Sequence, residues 1–141
     1  FLLRNGASVG VGRSSVRDIE KHGHPRALEL AKVGAVRDVI EDAPVGLLVV
    51  DGSLGLPGAA VGHVEQRVAP HADNDYWVVA AASIIAKVHR DRIMIALSRE
   101  YPRWGFQQHM GYGTRDHVVA LREHGLSVHH RPGACRTILS K

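Results

Sequence analysis

Residues 80–94 read AAASIIAKVHRDRIM, a run in which small and apolar residues are interspersed with charged ones at helical spacing. On a helix with 3.6 residues per turn, the apolar side chains form one stripe that consists of Ile84, Ile85, Val88 and Ile95. A stripe of this kind is typical of a helix that packs against a core. We therefore predict a long helix over residues 76–100, which ends before Pro102.

The polar face of this helix allows two interpretations. Ser83 and Lys87 are four positions apart, so a hydroxyl and an ammonium group could meet one phosphate. Asp91 lies at the border of the apolar stripe and could form an ion pair with Lys87, as in many amphipathic helices. Helical periodicity alone does not separate phosphate binding from the ordinary ion pair.

Shorter patterns predict strands and helices that alternate around the long helix. Ser15 and Asp18 form an acidic version of a capping box, while Thr114 and Gly125 bracket another helix. The predicted helices cover residues 16–23, 25–43 and 115–124, and residues 69–75 and 103–113 are predicted loops. The predicted strands cover residues 1–11, 46–50 and 61–68, and the second is expected to be buried on both faces. This alternation indicates the α/β class and one domain over residues 1–141.

The bulk composition narrows the class of protein. A chain of 141 residues that is 45% hydrophobic can form a globular core, and no apolar run reaches the roughly 18 residues of a membrane span. The net charge of +4 permits a polyanionic partner without requiring one. The single cysteine, Cys135, cannot form an internal disulfide, which fits a reducing cytoplasm; nothing in its surroundings supports a catalytic thiol.

Three aspartates could bind a metal ion. Asp51 follows the buried strand, at the end where α/β sheets place ligands, and its carboxylate suits Mg²⁺ or Mn²⁺; it could equally be a turn residue before Gly52. Asp73 and Asp75 precede the long helix and could cap it or face Asp51 across a shared metal. Two-metal hydrolysis of a phosphodiester requires several converging carboxylates.

The segment after the long helix contains aromatic and basic residues. Tyr112 lies between two glycines and is a candidate for an exposed contact with a sugar or base, whereas Trp104 and Phe106 are predicted core residues. His129, His130 and Arg131 could bind phosphate or metal. Because no Cys or His stands at zinc-like spacing from them, a solvated basic tail is the preferred interpretation.

Together, several of these segments resemble ribonuclease HII, the type 2 ribonuclease H family. The matching stretches appear in the family's order and cover most of the chain: VVDG at 49–52, AASIIAKVHRDRIM at 81–94, YPRWGFQQHMGYGTRDHVVALREHG at 101–125 and HHRPG at 129–133. The resemblance implies a ribonuclease H-like mixed sheet flanked by helices. It also implies an endonuclease that cleaves the RNA strand of RNA–DNA hybrids, and ribonucleotides embedded in DNA, with Mn²⁺ or Mg²⁺ and four acidic residues.

The resemblance assigns roles to individual residues. Asp51 and Asp73 correspond to two of the family's acidic, metal-binding residues, and Tyr112 to the tyrosine that packs against the substrate sugar. His71 stands where the family has a lysine, which weakens any charge contact from that position. Ser83 and Lys87 are the expected phosphate contacts, a choice that rests partly on the helix geometry. Asp91 is not one of the four acidic residues and is expected either to have a structural role or to support the residues that bind the ligands.

One departure from the family concerns its first strand. The family carries Asp-Glu-Ala-Gly-Arg-Gly there, which supplies two of the four carboxylates, and residues 10–13 (GVGR) have no preceding acidic pair. We therefore expect that the chain lacks the family's first strands and that it is inactive or nearly so by itself. The alternatives are a nucleic-acid-binding module without catalysis, and a structural or partner-binding remnant of the fold. The resemblance further implies a cytoplasmic, monomeric protein of DNA replication and repair that does not bind membranes.

Overall fold

The computed structural model describes residues 6–140, and its elements are helical except for one small sheet. The helices are α1 (Val16–His22), α2 (His24–Asp42), α3 (Gly58–Val61), α4 (Ala72–Asp75), α5 (Trp77–Glu100), α6 (Phe106–His109), α7 (Arg115–His124) and α8 (Pro132–Leu139), with a 3₁₀ turn at Pro102–Trp104. The strands are β1 (Leu47–Asp51) and β2 (Glu65–Ala69). The α/β class is therefore confirmed. The chain forms two compact units that divide between Ser83 and Ile84, within α5.

In the first unit the sheet and α2 share a core. β1 and β2 pair in parallel, with Leu47 opposite Glu65 and Asp51 opposite Ala69. The buried core side chains come from α2, β1, the following loop and α3, and they are Val33, Val50, Leu56 and Val61. This arrangement fixes the carboxyl end of β1, where Asp51 lies, against a packed layer.

Local signals near the start of the chain place the first two helices as predicted. The Ser15 hydroxyl accepts a hydrogen bond from the Asp18 N–H at 3.1 Å, and the Asp18 carboxylate accepts one from the Ser15 N–H at 2.8 Å. These hydrogen bonds complete the predicted capping box. The same interactions lower the pKa of Asp18, the side-chain hydrogen bond from Ser15 being the main cause.

Loss of this cap is expected to cost a moderate amount of stability. Ser15→Ala should reduce the free energy of unfolding by about 1 kcal/mol, because the first-turn N–H groups lose their acceptor. Urea denaturation followed by circular dichroism measures the change. Ser14→Ala is a poor control because Ser14 donates to the Ala27 carbonyl; Ser53→Ala, at an exposed position in a loop, is the suitable one.

Four sequence predictions for the first unit were wrong. The loop predicted at residues 69–75 contains the short helix α4. β1 is not buried on both faces, since Leu47 is 42% exposed and only Val50 is fully buried. β2 starts at Glu65 rather than at residue 61, because residues 58–61 form a helical turn that ends at Gly62, where φ is 72°. Of the strand predicted at residues 1–11, the first five positions lie outside the described residues, and residues 6–11 form no strand.

A close approach of two backbones explains the irregular course of residues 10–12. A Cβ atom on Gly10 would lie 2.0 Å from the Ala35 carbonyl oxygen, and one on Gly12 would lie 1.7 Å from that of Ala31. Both carbonyls belong to α2, so this segment lies directly against the helix backbone. The two glycines make that contact possible because they have no side chain.

The second unit contains the remainder of α5 and all the elements that follow it. α5 and α7 have the predicted bounds to within one residue, and Thr114 caps α7 through its hydroxyl. The predicted loop at 103–113 contains the 3₁₀ turn and α6, and α8 was not predicted at all. The core of this unit includes Phe106 and Leu121, each 2% exposed.

The apolar stripe of α5 is more exposed than the sequence predicted. Ile84 is 65% exposed, Val88 44% and Ile95 38%, so the stripe is not anchored in a core in the described structure. Helical periodicity correctly identifies which side chains share a face, but it carries no information on what covers that face.

Candidate functional site

The structure places Asp51 and Asp73 at neighbouring points of the first unit. One carboxylate oxygen of Asp51 (Oδ1) accepts a hydrogen bond from the Ala72 N–H at 3.1 Å. Ala72 immediately precedes Asp73, and both begin the short helix α4. The strand-end aspartate therefore holds the backbone from which the second predicted acid projects. Both side chains are exposed, which leaves their remaining oxygens open to a ligand.

A basic residue lies at the same strand end. The ammonium group of Lys32, on α2, donates to the Asp51 backbone carbonyl at 2.6 Å. The pairing of β1 with β2 continues one residue beyond Asp51, since the Gly52 N–H donates to the Ala69 carbonyl at 3.1 Å. Asp51 is thus held through its main chain as well as its side chain. The hydrogen bond described for its carboxylate comes from Ala72, a distant position in the chain, and not from its own turn.

The capping alternative for Asp73 and Asp75 is not supported. Both lie inside α4 rather than at the start of α5, and within residues 6–140 neither side chain accepts a capping hydrogen bond. His71, where the family has a lysine, precedes α4 in the left-handed conformation with φ 57° and is exposed. It therefore offers an imidazole at a point where the chain turns sharply.

The oxygen donors of Asp51 and Asp73 suit a hard divalent cation such as Mg²⁺ or Mn²⁺. Their number does not suit a two-ion centre. Across the part of the chain that the structure describes, no group of three or more His, Cys, Asp or Glu side chains is arranged to hold a metal ion. These residues can contribute two ligands, but they do not by themselves complete the site that two-metal hydrolysis requires.

The polar face of α5 exposes the two predicted phosphate contacts. Ser83 and Lys87 are both exposed and stand one helical turn apart. The alternative ion pair between Lys87 and Asp91 is absent from the described residues. Instead, Asp91 Oδ1 is buried with no hydrogen-bond partner there, as is His89 Nε2. The simple amphipathic-helix interpretation is therefore wrong for Lys87, whose ammonium group faces solvent.

Tyr112 sits on a tightly held turn. Tyr112 is 57% exposed, while its N–H donates to the His109 carbonyl at 2.8 Å. Met110 and Gly111, which precede it, both have positive φ, at 49° and 78°. Arg90 of α5 donates to the Met110 carbonyl at 3.0 Å, and its guanidinium carbon lies 6.0 Å from the centre of the Tyr112 ring. The turn therefore presents an aromatic face beside a cation.

Three histidines lie buried beneath this turn, and their burial was not predicted from the sequence. His109, His117 and His130 are 6%, 3% and 5% exposed, so the prediction of a solvated basic tail is wrong for His130. The rings of His109 and His117 stack with centroids 4.1 Å apart, and the Nε2 atoms of His117 and His130 are 3.0 Å apart. The one sequence signal was the spacing of His117 and Leu121, which puts His117 on the buried face of α7.

The prediction of Trp104 and Phe106 as core residues is confirmed for Phe106, while Trp104 is partly buried. The Trp104 indole N–H donates to the Gly125 carbonyl at 2.9 Å. A surface cavity of about 290 Å³ adjoins Trp104 and is also lined by Arg103, Gln108, His109 and Asp116. None of the predicted site residues lines this cavity.

Comparison with known proteins decides the family. The sequence model described as Ribonuclease HII matches residues 49–137. The chain belongs to the ribonuclease HII family. The matched range contains Asp51, Asp73, Ser83, Lys87 and Tyr112, together with all three buried histidines.

Curated relatives support the same assignment. The chain is similar to proteins named Ribonuclease HII from Sphingopyxis alaskensis (41% identical over 123 residues, 86% of this chain and 59% of the relative) and Magnetococcus marinus (41% over 130 residues, 89% and 57%). A third, from Roseobacter denitrificans, is 33% identical over 129 residues, 92% of this chain and 63% of the relative. The chain thus spans about three-fifths of the length of these ribonuclease HII proteins. No helix among residues 6–140 is long and apolar enough to cross a membrane.

Proposed function

We propose that this chain functions in an endonuclease that hydrolyses the RNA strand of RNA–DNA hybrids and cuts DNA at embedded ribonucleotides. Cleavage would depend on Mn²⁺ or Mg²⁺ and leave 5′-phosphate and 3′-hydroxyl ends. The observation that supports this proposal is the hydrogen bond from the Ala72 N–H to the Asp51 carboxylate, because Ala72 directly precedes Asp73 in the chain. Membership of the ribonuclease HII family supports the reaction class.

Asp51 and Asp73 are the proposed metal ligands and, in that capacity, the catalytic residues. When bound there, a divalent ion would supply Lewis acidity for the phosphodiester and a water of lowered pKa. The chain's own contribution is to hold the two carboxylates in place, through the Ala72 N–H and through Lys32 on the Asp51 carbonyl. The Lys32 ammonium group also brings a positive charge to the strand end, where a phosphate would approach.

Ser83, Lys87 and Tyr112 are the proposed contacts with nucleic acid. The exposed hydroxyl and ammonium groups on α5 can bind phosphate oxygens, and the exposed Tyr112 ring can pack against a sugar or base. The net charge of +4 favours association with a polyanion. The proposed substrates are RNA–DNA hybrids and ribonucleotide-containing DNA, which fits a monomeric, cytoplasmic protein of DNA replication and repair.

Manganese binding tests the two aspartates without relying on activity. Mn²⁺ should broaden the amide NMR signals of residues close to its site, and we expect the effect to centre on Gly52 and Asp73. Asp51→Asn should raise the Mn²⁺ concentration required for this broadening at least tenfold, since a charged oxygen ligand is lost. The asparagine oxygen can still accept from the Ala72 N–H, so the local fold is retained.

Asp75→Asn is the matched control, because Asp75 lies in the same short helix but is not a proposed ligand. Its Mn²⁺ response should equal that of the unmodified chain. Broadening that centres elsewhere, or that survives Asp51→Asn and Asp73→Asn together, would contradict the assignment.

Hybrid binding tests the contacts on α5. Lys87→Gln should weaken binding of an RNA–DNA hybrid and reduce the slope of log affinity against log salt by about 1, because one phosphate contact is lost. Fluorescence anisotropy at several salt concentrations measures both quantities. Lys21→Gln, on α1, removes the same charge from an exposed lysine and should leave the slope unchanged. An unaltered slope for Lys87→Gln would rule out its phosphate contact.

A second candidate function is a nucleic-acid-binding module without catalysis. The observation that favours it is the number of carboxylates: the described site has two, which is fewer than a two-ion centre needs. This candidate predicts salt-sensitive hybrid binding that does not change when Mn²⁺ is added. We expect the 141-residue chain by itself to show little or no cleavage; robust metal-dependent cleavage that Asp51→Asn abolishes would contradict that expectation.

A further inference from the structure

The buried histidines form a chain of hydrogen bonds whose direction can be assigned. The Ser127 N–H lies 2.9 Å from His130 Nδ1 and can only donate, so Nδ1 carries no proton. In the neutral ring the proton is then on Nε2, from which His130 donates to His117 Nε2 at 3.0 Å. His117 Nε2 is therefore the acceptor, which leaves its proton on Nδ1. That proton is donated to the Tyr112 carbonyl at 2.9 Å.

His109 is assigned in the same way. The Gly111 N–H donates to His109 Nδ1 at 3.1 Å, so His109 donates from Nε2 to the Trp104 carbonyl at 2.7 Å. Its ring stacks on that of His117. All six imidazole nitrogens thus have a partner when the three rings are neutral. Two of these hydrogen bonds are made with the backbone of Gly111 and Tyr112, the residues that position the exposed Tyr112 ring.

We propose that His117 and His130 are positioning residues, which in their neutral forms hold the Tyr112 turn and so set the aromatic ring for nucleic acid. The consequence for substrate binding rests on the proposed function, whereas the hold on the turn does not. An added proton on His117 breaks the chain, because protonated His117 would direct an N–H at the N–H of His130. Protonated His130 would lose the hydrogen bond from the Ser127 N–H, and its Nδ1–H would turn to the Ser127 hydroxyl, 2.7 Å away.

The surroundings favour the neutral forms. Burial lowers the pKa of His117. Burial first, and then the positive charge that His117 and His109 can carry, together lower the pKa of His130 to about 4. The acidic side chains of α7 are Asp116, which lines the cavity beside Trp104, and Glu123, which lies 3.7 Å from His124. The other ionisable groups on the segments around the pair are Arg103, Arg115, Arg122, His129, Arg131, Cys135 and Arg136.

Replacement of His117 by asparagine and by glutamine separates a positioning role from a packing role. The amide nitrogen of Asn takes the place of Nδ1 and can still donate to the Tyr112 carbonyl, whereas Gln reaches the place of Nε2 and cannot. Both lose the ring that stacks on His109. A purely structural role therefore predicts similar behaviour for His117→Asn and His117→Gln.

The positioning role predicts a difference between them. In NMR spectra of the chain, the Tyr112 and Gly111 amide signals should remain near their original shifts in His117→Asn and move or broaden in His117→Gln. Affinity for an RNA–DNA hybrid should fall roughly threefold to tenfold in His117→Gln relative to His117→Asn, as for one lost hydrogen bond. His124→Gln, at an exposed position of α7, should change neither quantity. Thermal unfolding of each variant confirms that it is folded at the temperature used.

Long-range ¹H–¹⁵N spectra of the imidazoles provide an independent test. At pH 7.5 His117 should show the Nδ1–H tautomer and His130 the Nε2–H tautomer. The opposite tautomer of His117, or equal effects of the Asn and Gln variants on the Tyr112 turn, would overturn the proposal. If the unmodified chain fails to bind the hybrid, the proposed function fails, while the tautomers and amide shifts still decide the positioning role.

Discussion

Gly12→Ala is expected to reduce the free energy of unfolding of this chain by about 3 kcal/mol or more. The added Cβ would lie 1.7 Å from the Ala31 carbonyl oxygen and 2.8 Å from the Ala35 nitrogen. Both atoms belong to the backbone of α2, so no side-chain rotation can relieve the overlap. Residues 10–12 would have to move away from the helix, with loss of the contact that holds them there.

Gly34→Ala is the matched control for this variant. Gly34 lies on the same helix, and the atom closest to its added Cβ would be the Gly12 Cα at 3.6 Å, an ordinary contact. Alanine also has the higher helix propensity, by about 1 kcal/mol, so this variant should be neutral or more stable. Urea denaturation of the two variants measures the contrast. Equal unfolding midpoints for Gly12→Ala and the unmodified chain would show that residues 10–12 do not pack against α2.

Acid is expected to destabilise the chain through His130. Its pKa is lowered from 6.5 to about 4 in the folded protein, mainly by burial, and that of His117 is lowered for the same main reason. The unfolded state therefore binds more protons below pH 6.5, and stability falls with falling pH. The full contribution is present above pH 6.5 and is lost progressively towards pH 4. For His130 alone the loss amounts to about 3 kcal/mol.

Urea unfolding midpoints at pH 7.5, 6.5, 5.5 and 4.5 measure this effect. His130→Asn should lower the midpoint at pH 7.5, because buried contacts are lost, but it should flatten the dependence on pH. His129→Asn, at the exposed neighbouring position, should retain the slope of the unmodified chain. The assignment fails if the midpoint of His130→Asn falls as steeply below pH 6.5 as that of the unmodified chain.

Features that depend on neighbours along the chain were predictable from the sequence. The capping box at Ser15, the cap at Thr114 and the helical period of α5 each involve residues within one or two turns of one another. Asp51 could be placed at a strand end because a short apolar run stops there. Its link to Asp73 was expected from the family resemblance, and the hydrogen bond through Ala72 now gives a physical reason for their proximity.

Features that depend on distant contacts were not predictable. Leu47 and Val50 belong to one apolar run, yet only Val50 is buried, because α2 and α3 cover one side of the sheet. His130 stands in a basic sequence but is buried, since Ser127 and His117 satisfy both of its ring nitrogens. No local pattern distinguishes such a histidine from a solvated one.

The turn that carries Tyr112 has a consequence for the thermodynamics of ligand contact. Met110 has a positive φ, a conformation that costs a residue other than glycine roughly 1 kcal/mol or more, and the folded chain sustains it through Arg90 and His109. The backbone beneath the ring has therefore already lost its conformational entropy when the protein folds. A ligand that packs on Tyr112 need not order that segment again, so the contact should carry a small entropic penalty.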